Sequence, residues 1–201
     1  MNDLDLIRES LPVVNKVFKY FETSYGKSTY RHIRAWRECA YDMSDYLEEE
    51  LDIACYFYIR KDRTCALYEL NYDGAANVPQ KHYSESEIEI TVNLSPELYT
   101  RQLSLPEGQW DKYKEQFVLT FIHEMTHSLQ FDDEKIFFED YFSSPFEIDA
   151  YSSELAFDRF LYKREEKACD SYIRYSTIDS KISEKMLTLA REKYQYLKSN
   201  K

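Results

Sequence analysis

The chain has 201 residues, with 37 acidic against 26 basic side chains and a formal net charge of −11. A surface of that sign repels nucleic-acid phosphates, and no run of Lys or Arg offsets it, which argues against a nucleic-acid partner. No stretch approaches the roughly 18–20 apolar residues that span a bilayer, and MNDLDLIRES lacks the apolar core of a secretory signal, so neither a membrane partner nor export is expected.

A hydrophobic content of 43% over 24.2 kDa suits one domain covering 1–201. With 3 Gly and 5 Pro, tight turns are scarce, and an α+β domain, mostly helical with a small antiparallel sheet, is expected. Cys39, Cys55, Cys65 and Cys169 form no CxxC pair, so free thiols and a cytoplasmic location are the expectation.

The first 50 residues read as helices. DLDLIRESLPVVNKVFKYF carries apolar residues at helical spacing, and Pro12 suggests two pieces, the second starting there. Gly26 closes this unit. A longer helix follows over about 28–50, with Ile33, Trp36, Ala40, Met43, Leu47 and Leu51 on one stripe.

The period changes to two over 52–95. DIACYFYIR and TCALYEL, joined by RKDR, predict a hairpin, and a polar loop with Gly74 and Pro79 follows. SEIEITVNLS alternates strictly: Ile88, Ile90, Val92 and Leu94 face one way, Glu87, Glu89, Thr91 and Asn93 the other. That suits a strand with one wet face, near a sheet edge.

Beyond Pro106 and Gly108 the chain reads as helical. The segment 110–164 holds a helix over about 110–130 and another from Ser144-Pro145 to about Arg164. In 166–198, weakly patterned helical residues at 166–177 precede an amphipathic helix at 180–198.

The helix at 110–130 contains FIHEMTHSLQ. Residues four apart on a helix stand one turn apart on one face, about 5–6 Å between Cβ atoms, so His123 and His127 can converge on one ion. Glu124 then projects beside that ion, where it can take a proton from water. Val118, Ile122, Met125 and Leu129 give the helix an apolar stripe offset from the histidines.

This stretch resembles the HExxH helix of the zincins, the zinc metallopeptidases. The resemblance implies one zinc ion per chain, a peptide or protein substrate, and Glu124 as general base. A catalytic zinc takes three protein ligands. A metzincin continuation would need glycine and histidine where Gln130 and Asp133 stand. In gluzincins, and in intracellular proteins with an ExEA or ExDA motif, the third ligand comes from a second helix. Glu147-Ile148-Asp149-Ala150 is similar to that motif and implies Glu147 as the ligand. Ser144, Pro145 and Glu147 also match a capping box, which needs no metal. Asp133, Asp149 and Glu154 are the other candidates.

The resemblance covers about 87–158. Thermolysin-like gluzincins place an acid four residues after the ligand glutamate, where this chain has Tyr151. Either Asp149 or Glu154 orients a ligand histidine instead, or Tyr151 serves as an oxyanion donor; His82 is a further donor candidate. The strand at 87–94, with Glu89, Thr91 and Asn93, is a candidate for pairing with substrate backbone, as in zincins, or is an ordinary strand. The reading is a zinc metallopeptidase. The alternative is a binding or regulatory protein on a zincin scaffold, with a structural metal or none.

Overall fold

The computed structural model describes residues 2–77, 87–100, 103–130, 142, 144–165 and 179–200. Among them lie seven helices and a three-stranded mixed sheet, an α+β fold. Helix α1 spans Asp3–Ser24 and is capped by Asn2, whose side chain accepts from the Leu4 N–H at 2.9 Å. Pro12 sits inside this single helix rather than starting a second one. An interior proline costs about 3 kcal/mol. The α1 stripe from Leu4 to Phe21 buries seven apolar residues, at about 1.5–3 kcal/mol for each fully buried large side chain, which outweighs it.

The helix expected over 28–50 breaks at Cys39 into α2 (Thr29–Glu38) and α3 (Ala40–Leu51). Its stripe survives the break: Ile33, Trp36, Ala40, Met43 and Leu47 are all buried. The core joins the two ends of the chain, from Leu4 of α1 to Leu197 of the last helix. Phe18 stands at its centre, with Trp36, Trp110 and Phe117 packed edge-on around it at 5.2–6.0 Å between centroids.

Strands β1 (Ala54–Lys61), β2 (Leu70–Asn77) and β3 (Glu87–Leu94) assemble in the order β1-β3-β2. This corrects two expectations. β1 and β2 do not form a hairpin, because β3 lies between them, parallel to β1 and antiparallel to β2. The sheet is therefore mixed rather than antiparallel, and β3 is its centre rather than its edge. Alternation reports which face of a strand is wet, a property perpendicular to the sheet. Edge position is decided in the sheet plane, where the side-chain pattern is silent. The centre went to the strand whose Ile88, Ile90, Val92 and Leu94 are all fully buried.

TCAL does not return as a strand either. Asp62 accepts from the Thr64 N–H and hydroxyl at 2.8 Å, and Glu69 accepts from the Ala66 N–H at 2.7 Å. These local bonds compete with a ladder and hold the segment as a turn until Leu70. Edge strand β1 is tied to α3 by the Phe57 N–H, which donates to Ser44 Oγ at 3.0 Å.

After the short α4 (Pro96–Thr100) comes α5 (Gln109–Leu129), which lies against β2 and β3. Two tyrosines pin β2 and the turn before it to α5: the Tyr72 hydroxyl donates to the Tyr113 carbonyl, and the Tyr113 hydroxyl to the Tyr68 carbonyl, both at 2.6 Å. Helix α6 (Pro145–Tyr162) packs on α5, and α7 (Ser180–Ser199) packs on α6. The weakly helical residues expected at 166–177 lie outside the described residues. No helix among the described residues is long and apolar enough to cross a membrane.

Candidate metal centre

Helix α5 changes character along its length. From Trp110 to Ile122 it buries mainly large apolar side chains; then His123, Glu124, Thr126, His127 and Ser128 are buried as well. The one-turn spacing brings the two imidazoles together as expected, with Nε2 of His123 and Nε2 of His127 3.2 Å apart. Helix α6 starts at Pro145 and brings Glu147, in its first turn, against both rings. Glu147 Oε1 stands 3.3 Å from His127 Nε2, and Oε2 stands 3.5 Å from His123 Nε2. Ser144 makes no side-chain cap, so the first half of the capping box is absent.

These three residues form a group whose donor atoms all face one another. A tetrahedral zinc ion with Zn–N bonds of about 2.0–2.1 Å separates its donors by about 3.3–3.4 Å. The two Nε2 atoms stand near that spacing, Glu147 turns a different oxygen to each ring, and one donor atom from each residue lies within 4.8 Å of the others. All three residues are 7–9% exposed. Burying carboxylates is costly unless positive charge lies close by.

The outer nitrogens decide what the inner ones offer. The Phe146 carbonyl can only accept, so the Gln130 amide turns its NH₂ toward it, at 3.1 Å. The amide oxygen then faces His127 Nδ1 at 2.9 Å, which must carry the proton. His127 Nε2 is left with a bare lone pair directed at the group. On the other ring, Glu154 Oε2 stands 3.4 Å from His123 Nδ1. A carboxylate likewise wants a proton there, which frees the second Nε2. Two bare lone pairs at 3.2 Å repel, so a positive charge, metal ion or proton, belongs between them. Without an ion, burial by itself would lower the His123 pKa, but Glu147 and Glu154 outweigh it and hold the imidazolium up to about 10.

Glu124 is 5% exposed, and burial raises its pKa while the two imidazoles oppose the rise. Its carboxylate lies against the backbone of Gly74 in β2: a Cβ at that position would overlap Oε1 and Cδ. Gly74 thus belongs to the edge strand beside the site and not to a loop. An isolated glycine within a strand pattern signals such a close backbone approach.

Tyr151 packs edge-on against the His123 ring, centroids 4.5 Å apart. Burial first, then the charges of Glu154, Glu147 and Glu124, push its hydroxyl far above the usual tyrosine range, so it stays a protonated donor. Asp149 reaches the site at one remove, accepting from Gln130 Nε2 at 3.2 Å and from Lys193 Nζ at 2.5 Å. Glu89, Thr91 and Asn93 do not join the site. They oppose Ala75, Asp73 and Asn71 of β2, on the sheet face away from Gly74 and α5. Asn93 there donates to Asp73 at 2.6 Å, and β3 is paired on both sides, so its backbone is not open to a substrate. Among the described residues, the strand with an open edge next to α5 is β2. His82 and Asp133 lie outside the described residues. Gln130, Gly74 and Lys193 are site residues that sequence reasoning missed.

Comparison of the chain with family models, with curated proteins and with solved structures yields no match.

Proposed function

We propose that this chain is a zinc-dependent hydrolase, most simply a peptidase, holding one zinc ion through His123, His127 and Glu147. The observation that carries this reading is the group of two imidazoles and the Glu147 carboxylate, whose donor atoms lie within 4.8 Å of one another, with a second buried carboxylate, Glu124, one residue along the helix from His123. A zinc ion held there would supply Lewis acidity for activating water and polarising an acyl carbonyl. Glu124 would take the proton from such a water and return it to the leaving nitrogen, and burial, which raises its pKa, makes it a stronger base than a solvated carboxylate. Glu154 and Gln130 hold the two imidazoles in the tautomer that binds metal. Tyr151 keeps a hydroxyl proton available beside His123 for a developing oxyanion. The outer edge of β2, which has no strand partner among the described residues, is where an extended peptide would add. The thiols of Cys39, Cys55 and Cys65 are free, which fits a reducing, cytoplasmic setting.

The deep burial of the donors supports a second reading, a structural ion in a binding or regulatory protein. Elemental mass spectrometry on protein purified without chelator, followed by chelation, separates the two. One zinc per chain, with loss of hydrolysis but not of fold on chelation, supports the enzyme. One zinc with unfolding on chelation supports the structural ion. No zinc, even after supplementation, removes both metal readings.

A further inference from the structure

The two imidazoles are supported unequally. His123 has a carboxylate at a long 3.4 Å, whereas His127 has a neutral amide at 2.9 Å, and that amide is itself held at three points. Gln130 leaves α5 in an extended conformation, its N–H donating to the His127 carbonyl at 3.0 Å. Its side chain crosses to the first turn of α6, where Nε2 donates to the Phe146 carbonyl and to Asp149 Oδ2. Asp149 in turn is gripped by Lys193 of α7. The Lys193 ammonium donates to Asp149 Oδ1 at 2.5 Å, to the Asp149 carbonyl at 2.9 Å and to Ser153 Oγ at 2.7 Å. Helix α7 is braced from behind, because the Tyr196 hydroxyl donates to Asp5 of α1 at 2.8 Å.

A continuous line of directed bonds therefore runs from His127 through Gln130 and Asp149 to Lys193, across three helices. Each member constrains the next. The Phe146 carbonyl and Asp149 accept only, so the amide cannot flip; the unflipped amide accepts only at His127 Nδ1, so the imidazole cannot change tautomer. An ordinary C-cap side chain would need none of these partners.

Resting on the zinc reading above, we propose that Gln130 is the positioning residue of His127, and that Lys193 on the C-terminal helix locks it through Asp149. Helix α7, which contributes no ligand, then tunes the affinity of the metal centre.

The test is zinc affinity, by competition with a chromophoric chelator, on the full chain and its variants, with urea unfolding of each metal-free protein alongside. Removing an outer-shell partner of a ligand typically weakens metal binding about 10–100-fold, and that loss is expected for Gln130→Ala. Lys193→Met, one bond further out, should weaken it on the order of threefold to tenfold, and Lys193→Arg should restore near wild-type affinity. If Lys193→Met does not fold, Asp149→Asn, at a partly exposed side chain, breaks the same link. In the double variant the Lys193 effect should vanish, within about twofold, because its route to the metal is already cut. Wild-type affinity in Gln130→Ala overturns the proposal. Independent, additive losses in the double variant overturn the Lys193 link, since a general packing effect would produce them. Wild-type protein that binds no zinc overturns the zinc reading and this proposal together. Zinc binding that is lost in Glu147→Ala but indifferent to Gln130 overturns this proposal alone.

Discussion

Two stretches of α5 bury side chains of opposite chemistry. Around Phe117, α5 meets Phe18, Trp36, Phe57 and Tyr72, rings whose mutual contact needs no particular partner atom. Around His123 and His127, a turn or two later, buried polar side chains stand among Ile122 and Met125, and the two imidazoles meet specific atoms of Glu147, Glu154 and Gln130. The apolar end is stabilised in proportion to area, about 25 cal/mol per Å² buried. The polar end is stabilised only if charge and direction match, and a single missing partner there costs more than the bond itself is worth. One helix thus anchors itself with one half and exposes its chemistry to test with the other.

The sharpest break in this comparison is at the polar end. Glu124→Gln keeps the shape of the side chain but not its basicity, and should lower peptide hydrolysis about 10²–10⁴-fold with zinc content unchanged. Mass spectrometry of a digested peptide library, paired with elemental analysis, checks both halves. Full activity in this variant would remove Glu124 from the mechanism.

The mirror experiment is Phe117→Ala at the apolar end. It should cost about 3–5 kcal/mol in urea unfolding, while the folded fraction still binds one zinc. If zinc were lost in step with Phe117, the two ends would not be separable.

Gly74→Ala probes the boundary. The colliding atoms belong to the end of the Glu124 side chain, so the fold can yield by moving that carboxylate. A displacement near 1 Å at a catalytic group costs about 100-fold in rate. The expectation is a loss of that order with urea midpoint and zinc content close to wild type, partly rescued by the shorter Glu124→Asp. An unaltered rate would mean that Glu124 has room to spare.

The smallest expected effect is a pH trend in chelator-treated protein. The His123 pKa is raised from 6.5 to about 10 when folded, so the stability it contributes is fully present below about pH 6.5 and is lost as pH rises through about 10. The raised Glu124 acts in the same sense. Urea midpoints should fall from pH 6 to pH 10 in the metal-free protein, and the slope should flatten in His123→Gln.

Much of this site is local and was therefore legible. His123, Glu124 and His127 depend only on helical period, and Pro145 announced the helix that delivers Glu147. Their neighbours were not legible for separate reasons. Gln130 read as an obstacle to a different ligand pattern, because its value lies in reaching Phe146 and Asp149 across a helix boundary. Gly74 read as a loop residue, because its significance is a contact with a side chain on another element. Cys39 gave no warning of the break between α2 and α3, since the apolar stripe runs through it uninterrupted. β1 and β2 are not the hairpin their sequence suggests, because the neighbours of a strand in the sheet are not written in its own alternation.

The sequence by itself determined the period of each element, the apolar faces and the convergence of two histidines, all consequences of backbone geometry over a few residues. Only the tertiary structure decided the strand order β1-β3-β2, the glycine against Glu124 and the line from His127 to Lys193. Those are meetings between residues far apart in the chain, and they are set by how whole faces pack rather than by any local repeat.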